Sequence, residues 1–143
     1  MLVMCISDDT LSLSDRDQER VRRLSKDRYW QSIEPGSEFV VYGLAIFHDV
    51  LCYILHGTLV GSYPRDYPMT YPACFFSVVD ARLPDNLHVL TDVDRLPKGV
   101  SLLVVPRRWA MDPDFYSRVV DGEPKAREEW EVIRRVIDAQ SIG

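Results

Sequence analysis

Three histidines, three cysteines and a short acidic pair are the side chains of this sequence best suited by type to catalysis or metal binding. Nucleophilic catalysis needs a serine or cysteine beside a positioned base. There is no Gly-x-Ser-x-Gly elbow, and Cys5, Cys52 and Cys74 sit in apolar contexts outside any glycine-rich turn. His48 and His56 lie at opposite ends of a predicted hairpin with Cys52 between them, so their spacing does not bring them to one point. His88 stands alone in a short predicted strand. Protein metal sites need three or four converging ligands, and the sequence has no HxH, HxxxH or CxxC spacing. Asp92-Val93-Asp94 places two carboxylates close together, but turns are rich in Asp for local hydrogen bonding. Phosphate-cradling glycine loops are absent. The residues near predicted strand ends that could still assemble an enzymatic site on folding are His56, Asp80, Arg82 and His88. No cofactor and no metal are expected.

Two other stretches have the chemistry of recognition. A Tyr-Pro dipeptide recurs three times at a spacing of four, as Tyr63-Pro64, Tyr67-Pro68 and Tyr71-Pro72, with Arg65 and Asp66 inside the array. In an extended segment alternate positions share a face, so the three rings are expected to project the same way. They form either a lid over a sheet or a partner-binding patch, since tyrosine is enriched among interface hot spots. In Arg107-Arg108-Trp109, a guanidinium beside an exposed indole could grip an acidic or phosphorylated partner. The alternative is that Trp109 packs inside while both arginines are solvated. A further basic set, Arg20, Arg22, Arg23, Lys26 and Arg28, belongs to a stretch that also carries Asp15, Asp17, Glu19 and Asp27, and it lacks the net basic face that nucleic acid requires.

The elements that must position these groups follow from periodicity and turn chemistry. A short strand is expected at 2–6. Ser14 with Asp17 resembles a capping box, opening a charged helix that is predicted to run to about Ile33. Pro35-Gly36 ends it. Two strands, at about 39–47 and 50–56, are joined by the two-residue His48-Asp49 loop. Both are apolar at odd and even positions, which calls for helices on one face and loops or a partner on the other. The prolines make 62–72 a poor helix and a poor central strand, so an ordered extended loop is predicted there. Further strands are expected at 73–80, 87–90 and 101–105, with a loop at 106–110. Asp112-Pro113-Asp114 starts one helix, and a second runs from Pro124 to about Asp138. Ala126, Trp130, Ile133 and Ile137 form its apolar stripe, widened by Val132 and Val136.

The length of 143 residues fits one domain, 1–143, with ordinary globular composition. The expected fold is α+β: a mostly antiparallel sheet of four to six strands, one N-terminal helix and two C-terminal helices. The formal charge of −5 argues against nucleic acid and suits a basic protein partner. No apolar run is long enough to span a bilayer, and residues 1–6 do not read as a signal segment. A cytoplasmic location is expected.

In size, acidity, aromatic richness and lack of catalytic motifs the chain resembles the bacterial immunity proteins that neutralise polymorphic or contact-dependent toxins. That resemblance implies a protein-binding module that occludes the site of a basic toxin domain. The residues expected to touch the partner are Tyr63, Arg65, Asp66, Tyr67, Tyr71, Arg107, Arg108 and Trp109. A small-molecule sensor with a pocket beneath the tyrosine segment, or a small enzyme, are the alternatives.

Overall fold

A computed structural model describes residues 1–57, 59–60, 63–64 and 66–142. The fold is α+β, and every pairing among its named strands is antiparallel. In chain order the elements are β1 (Leu2–Cys5), α1 (Asp15–Arg22), β2 (Glu38–Val40), β3 (Gly43–Phe47) and β4 (Val50–His56). They are followed by β5 (Leu59–Val60), β6 (Tyr63–Pro64), β7 (Pro68–Pro72), β8 (Phe76–Asp80), β9 (Leu87–Leu90) and β10 (Val100–Pro106). Three helices close the chain: α2 (Arg107–Ala110), α3 (Phe115–Val120) and α4 (Pro124–Ile142). The strands pair as a five-stranded sheet in the order β7-β4-β3-β10-β9, a three-stranded sheet in the order β2-β1-β8, and a β5-β6 ladder.

The single strand predicted over 39–47 is broken in two, and the break organises the molecule. Val41 donates its N–H to the Met1 carbonyl at 3.0 Å, while the next residue, Tyr42, donates to Ile54 at 2.9 Å. The chain thus changes sheets between adjacent residues. A second crossing occurs from β7, which pairs with β4, through the 3-10 turn Ala73–Phe75 into β8, which pairs with β1. The pairings therefore close a barrel-like circuit: β1, the β2–β3 strand, β4, and the β7–β8 strand. Side chains alternate along strands, so Val3, Cys5, Val41, Tyr53, Leu55, Tyr71 and Phe76 fall on the inside and form one core. On the other face of the five-stranded sheet, Ala45, Ile54, Leu103 and Val105 pack against Trp109, Phe115, Val119 and the α4 residues Ala126, Trp130 and Ile137.

Several sequence expectations are met. Ser14 accepts from the Asp17 amide at 3.2 Å, and His48 and Asp49 both take positive φ, 46° and 62°, as a two-residue hairpin turn demands. Others are corrected. The first helix ends at Arg22 rather than near Ile33. At 3.6 residues per turn Trp30 would lie about 180° around the helix from Val21, so a continuous helix could not bury both. The break lets Val21 pack fully inside while Trp30 reaches Tyr71 and Phe75 with ring centroids at 6.3 and 5.7 Å. The loop predicted over 62–72 contains the edge strand β7. Prolines four residues apart lose their donors on the same edge of a strand, which leaves the opposite edge free to pair with β4. The loop predicted at 106–110 contains the short α2. Val132 and Val136 do not widen the buried stripe of α4; they are 56% and 54% exposed.

Gly43, just beyond the sheet change, has a packing reason to lack a side chain. A Cβ there would lie 2.5 Å from the Val104 carbonyl oxygen and 3.1 Å from Ile54. Gly43→Ala is expected to destabilise the fold by about 1–3 kcal/mol, in the range of overpacked cores. Urea denaturation with an unchanged slope checks this; a wild-type midpoint would show that β3 and β10 are not held this closely.

Candidate functional site

The histidines and acids singled out by type are dispersed by the fold. His56 ends β4 and is enclosed by two partners. The Trp130 indole N–H donates to its Nδ1 at 3.3 Å, and its Nε2 lies 3.2 Å from an Asp66 carboxylate oxygen. An indole nitrogen can only donate, so Nδ1 is an acceptor and the neutral ring carries its proton on Nε2, toward Asp66. With both nitrogens engaged, His56 has no free lone pair for general-base work. Burial, reinforced by the Arg134 charge, lowers its pKa below the usual histidine value, against an opposing pull from Asp66.

His88 pairs opposite Val105 on β9 and is exposed. Two strands, β3 and β10, lie between it and β4, so His56 and His88 are at least about 14 Å apart at ordinary strand spacing. Asp80 and Arg82 engage each other at the end of β8, with Arg82 Nε 2.9 Å from Asp80 Oδ2. That contact holds the Asp80 carboxyl down to about 2. His48 sits in the β3–β4 turn with its ring 4.6 Å from that of Phe47. Asp92 accepts from the Asp94 amide at 3.1 Å, a local turn contact. The four residues proposed as an enzymatic cluster are therefore not brought together. Burial pushes the Cys52 and Cys74 thiols up to about 12 and about 11, away from the thiolate that a nucleophile requires. Among the described residues no group of three metal-ligating side chains converges.

The residues expected from the sequence to touch a partner are also separated. Tyr71 is 3% exposed and lies inside the barrel-like circuit, its hydroxyl 3.7 Å from Met69 sulfur. Tyr67 is half-buried and packs against the helical core on the other side of the sheet. The expectation that all three rings project the same way is thus corrected: the chain bends at Tyr67 before β7 begins, so these two rings enter different cores. Tyr63 pairs with Val60; its side chain, and Arg65 altogether, lie outside the described residues. Trp109 is buried, stacked on Tyr116 at 5.6 Å, and Arg108 makes a two-pronged contact to Glu129 at 2.8 and 3.0 Å. Arg107 alone of this trio is exposed without an ion pair among the described residues.

A feature that type and spacing did not single out is a row of aliphatic side chains on the barrel-side face of the five-stranded sheet. On this face Tyr53 and Leu44 pack into the core shared with the three-stranded sheet, whereas Ile46, Leu51, Leu102, Val104 and Val89 are not part of that core among the described residues. One pair beyond along the strands, Leu51, Ile46 and Leu102 lie opposite one another, and further across the sheet Val104 and Val89 lie in line with Leu44, so the row turns the corner of the covered area onto β9. Leu51 and Val89 are 46% and 63% exposed, and Ile46, Leu102 and Val104 are half-buried. The signal for it was the two-sided apolar pattern of the strands, which demanded cover on both faces.

No known protein family, no curated protein and no solved structure matches this chain. No helix among the described residues is long and apolar enough to cross a membrane.

The His56 environment has a pH signature. Its folded pKa lies below the unfolded value of 6.5, so as pH falls through that value the unfolded chain takes up the proton first. Its contribution to stability is complete above 6.5 and is lost progressively below it, until the folded pKa is reached. Urea midpoints are expected to fall between about pH 7.5 and 5.5, together with a change in Trp130 fluorescence. His56→Gln should flatten that slope. An equal slope in the variant would place the titration elsewhere.

Proposed function

We propose that this chain is a small, non-catalytic protein-binding module that docks the uncovered apolar end of its five-stranded sheet onto a partner protein. The row Leu51, Ile46, Leu102, Val104 and Val89 is the observation that carries this reading. Two of its members, Leu51 and Val89, are exposed and the three between them are half-buried; an apolar surface patch of this kind marks an interaction site, and an apolar centre within a polar surround is the usual anatomy of an interface. β9 is an edge strand of the same sheet with no further strand paired to it among the described residues, and an edge beside an apolar row is suited to strand addition. The net charge of −5 favours a partner whose apolar patch is flanked by basic groups. A basic toxin domain neutralised by occlusion, as in the immunity proteins that the chain resembles in size and charge, is the partner class most consistent with these features. Asp66, Tyr67 and Arg107 are placed where they can meet solvent; Tyr71 and Trp109 support the fold behind them.

Capture of the tagged chain from its native host, followed by mass spectrometry and measurement of stoichiometry, tests the reading. One protein partner is expected at 1:1 (about equimolar, as for a single docking face). The Leu51→Asp/Val89→Asp double variant should release it while keeping its thermal midpoint, because both positions are exposed and such changes usually alter stability by within about 0.5 kcal/mol each. Retention of the partner by that variant, or the absence of any stoichiometric protein, contradicts the proposal.

A further inference from the structure

The opposite face of the five-stranded sheet contains a cavity of about 320 Å³ between the sheet and helices α2 and α3. Its floor is Ala45, Ile54 and Leu103; Trp109 and Tyr116 form an aromatic wall. This volume lies at the small end of the range for ligand sites, which begins at about 300 Å³. The walls are fixed in place. Arg95 donates to the Ala110 carbonyl at 2.9 Å, tying the 92–98 segment to α2. On the other side the His48 amide donates to Gly99 at 2.8 Å, where the positive φ of 85° and the imidazole packed above the backbone suit glycine alone.

The charge pattern of the cavity is the reverse of the chain's. The sequence has 22 acids against 17 lysines and arginines, yet among the described residues no acid lines this cavity, and Arg95 and Lys98 both do. Neither cation is paired with a carboxylate among the described residues. Both residues are exposed, so the charge is at the mouth and the apolar surface is deeper in. Such a site is complementary to a molecule with one anionic head and a short apolar body.

We propose that this cavity binds an amphipathic organic monoanion, a carboxylate on a single ring or a short alkyl chain, with the head between Arg95 and Lys98 and the body against Trp109 and Leu103. This site is on the face of the sheet away from the Leu51–Val89 row, so the two proposals stand or fall separately.

Calorimetric titration of the full chain with octanoate and with 1-octanol, which has the same body without the charge, tests the assignment. Octanoate is expected to bind once per chain and about tenfold or more tighter than octanol, the size of one charge-assisted contact. Lys98→Gln, at an exposed position, should reduce that ratio toward unity while leaving octanol affinity as it was. Ser117→Trp, which fills the mouth from the exposed side of α3, should weaken both ligands. No octanoate binding at about 1 mM, equal affinities for the two ligands, an unchanged ratio in Lys98→Gln, or unchanged binding in Ser117→Trp would each overturn the proposal.

Discussion

The change of sheet between Val41 and Tyr42 is the constraint on which the rest of the structure depends. Two adjacent amides donate to carbonyls in different sheets, and the two side chains enter different cores: Val41 is fully buried inside the barrel-like circuit, and Tyr42 is buried against Trp130 under α4. A strand that remained in one sheet would place alternate side chains on its two faces but could not close the circuit through β1. Because it crosses over, one continuous stretch supplies both cores. Tyr42 also ties them to the last helix, since its hydroxyl donates to Asp138 at 2.6 Å. Burial and that contact push its pKa well above the ordinary tyrosine value, so it remains a neutral donor at physiological pH.

This geometry determines what is covered and what is not. The three-stranded sheet is narrow and shares its core with Tyr71, Tyr53, Leu55 and Leu44 at the β7, β4 and adjoining β3 end of the larger sheet. The helices cover the other face, where α2 and α3 stand far enough from β3 and β10 to leave a cavity. The exposed aliphatic row and the basic-rimmed cavity are therefore two consequences of a single arrangement: a five-stranded sheet whose layers on either side do not match its extent. The residues with catalytic chemistry are distributed around this framework in local contacts. His56 is held between Trp130 and Asp66, Asp80 by Arg82, and Asp92 caps its own turn.

Much of the framework was legible in the sequence because it rests on local physics. The Ser14 cap, the positive-φ turn at His48-Asp49, the strand at 87–90 and the stripe Ala126, Trp130, Ile137 follow from propensity and periodicity alone. What could not be read was which partner each residue chooses. Nothing in Val41-Tyr42-Gly43 marks a change of sheet, because a strand that pairs with one neighbour has the same pattern as a strand that pairs with two. The end of α1 depended on a tertiary choice, Trp30 against Tyr71 and Phe75, over local helical preference. Tyr67 and Tyr71 share a sequence motif but not an environment, because the bend ahead of β7 separates them. The candidate site was foreseen only as a demand: strands apolar on both faces require cover, and the sequence does not state where that cover stops.

Cover on the barrel-side face ends between Tyr53 and Leu51 along β4, and between Leu44 and Val89 across the sheet. Hydroxyl-radical footprinting of the free protein, with each residue's oxidation compared to that in the unfolded chain, addresses it directly. Tyr53 and Tyr71 are expected to be strongly protected, with Leu51 and Val89 oxidised at rates approaching the unfolded values. Protection of Leu51 and Val89 equal to that of Tyr53 would show instead that this face is already covered in the free chain, with no apolar row left for a partner.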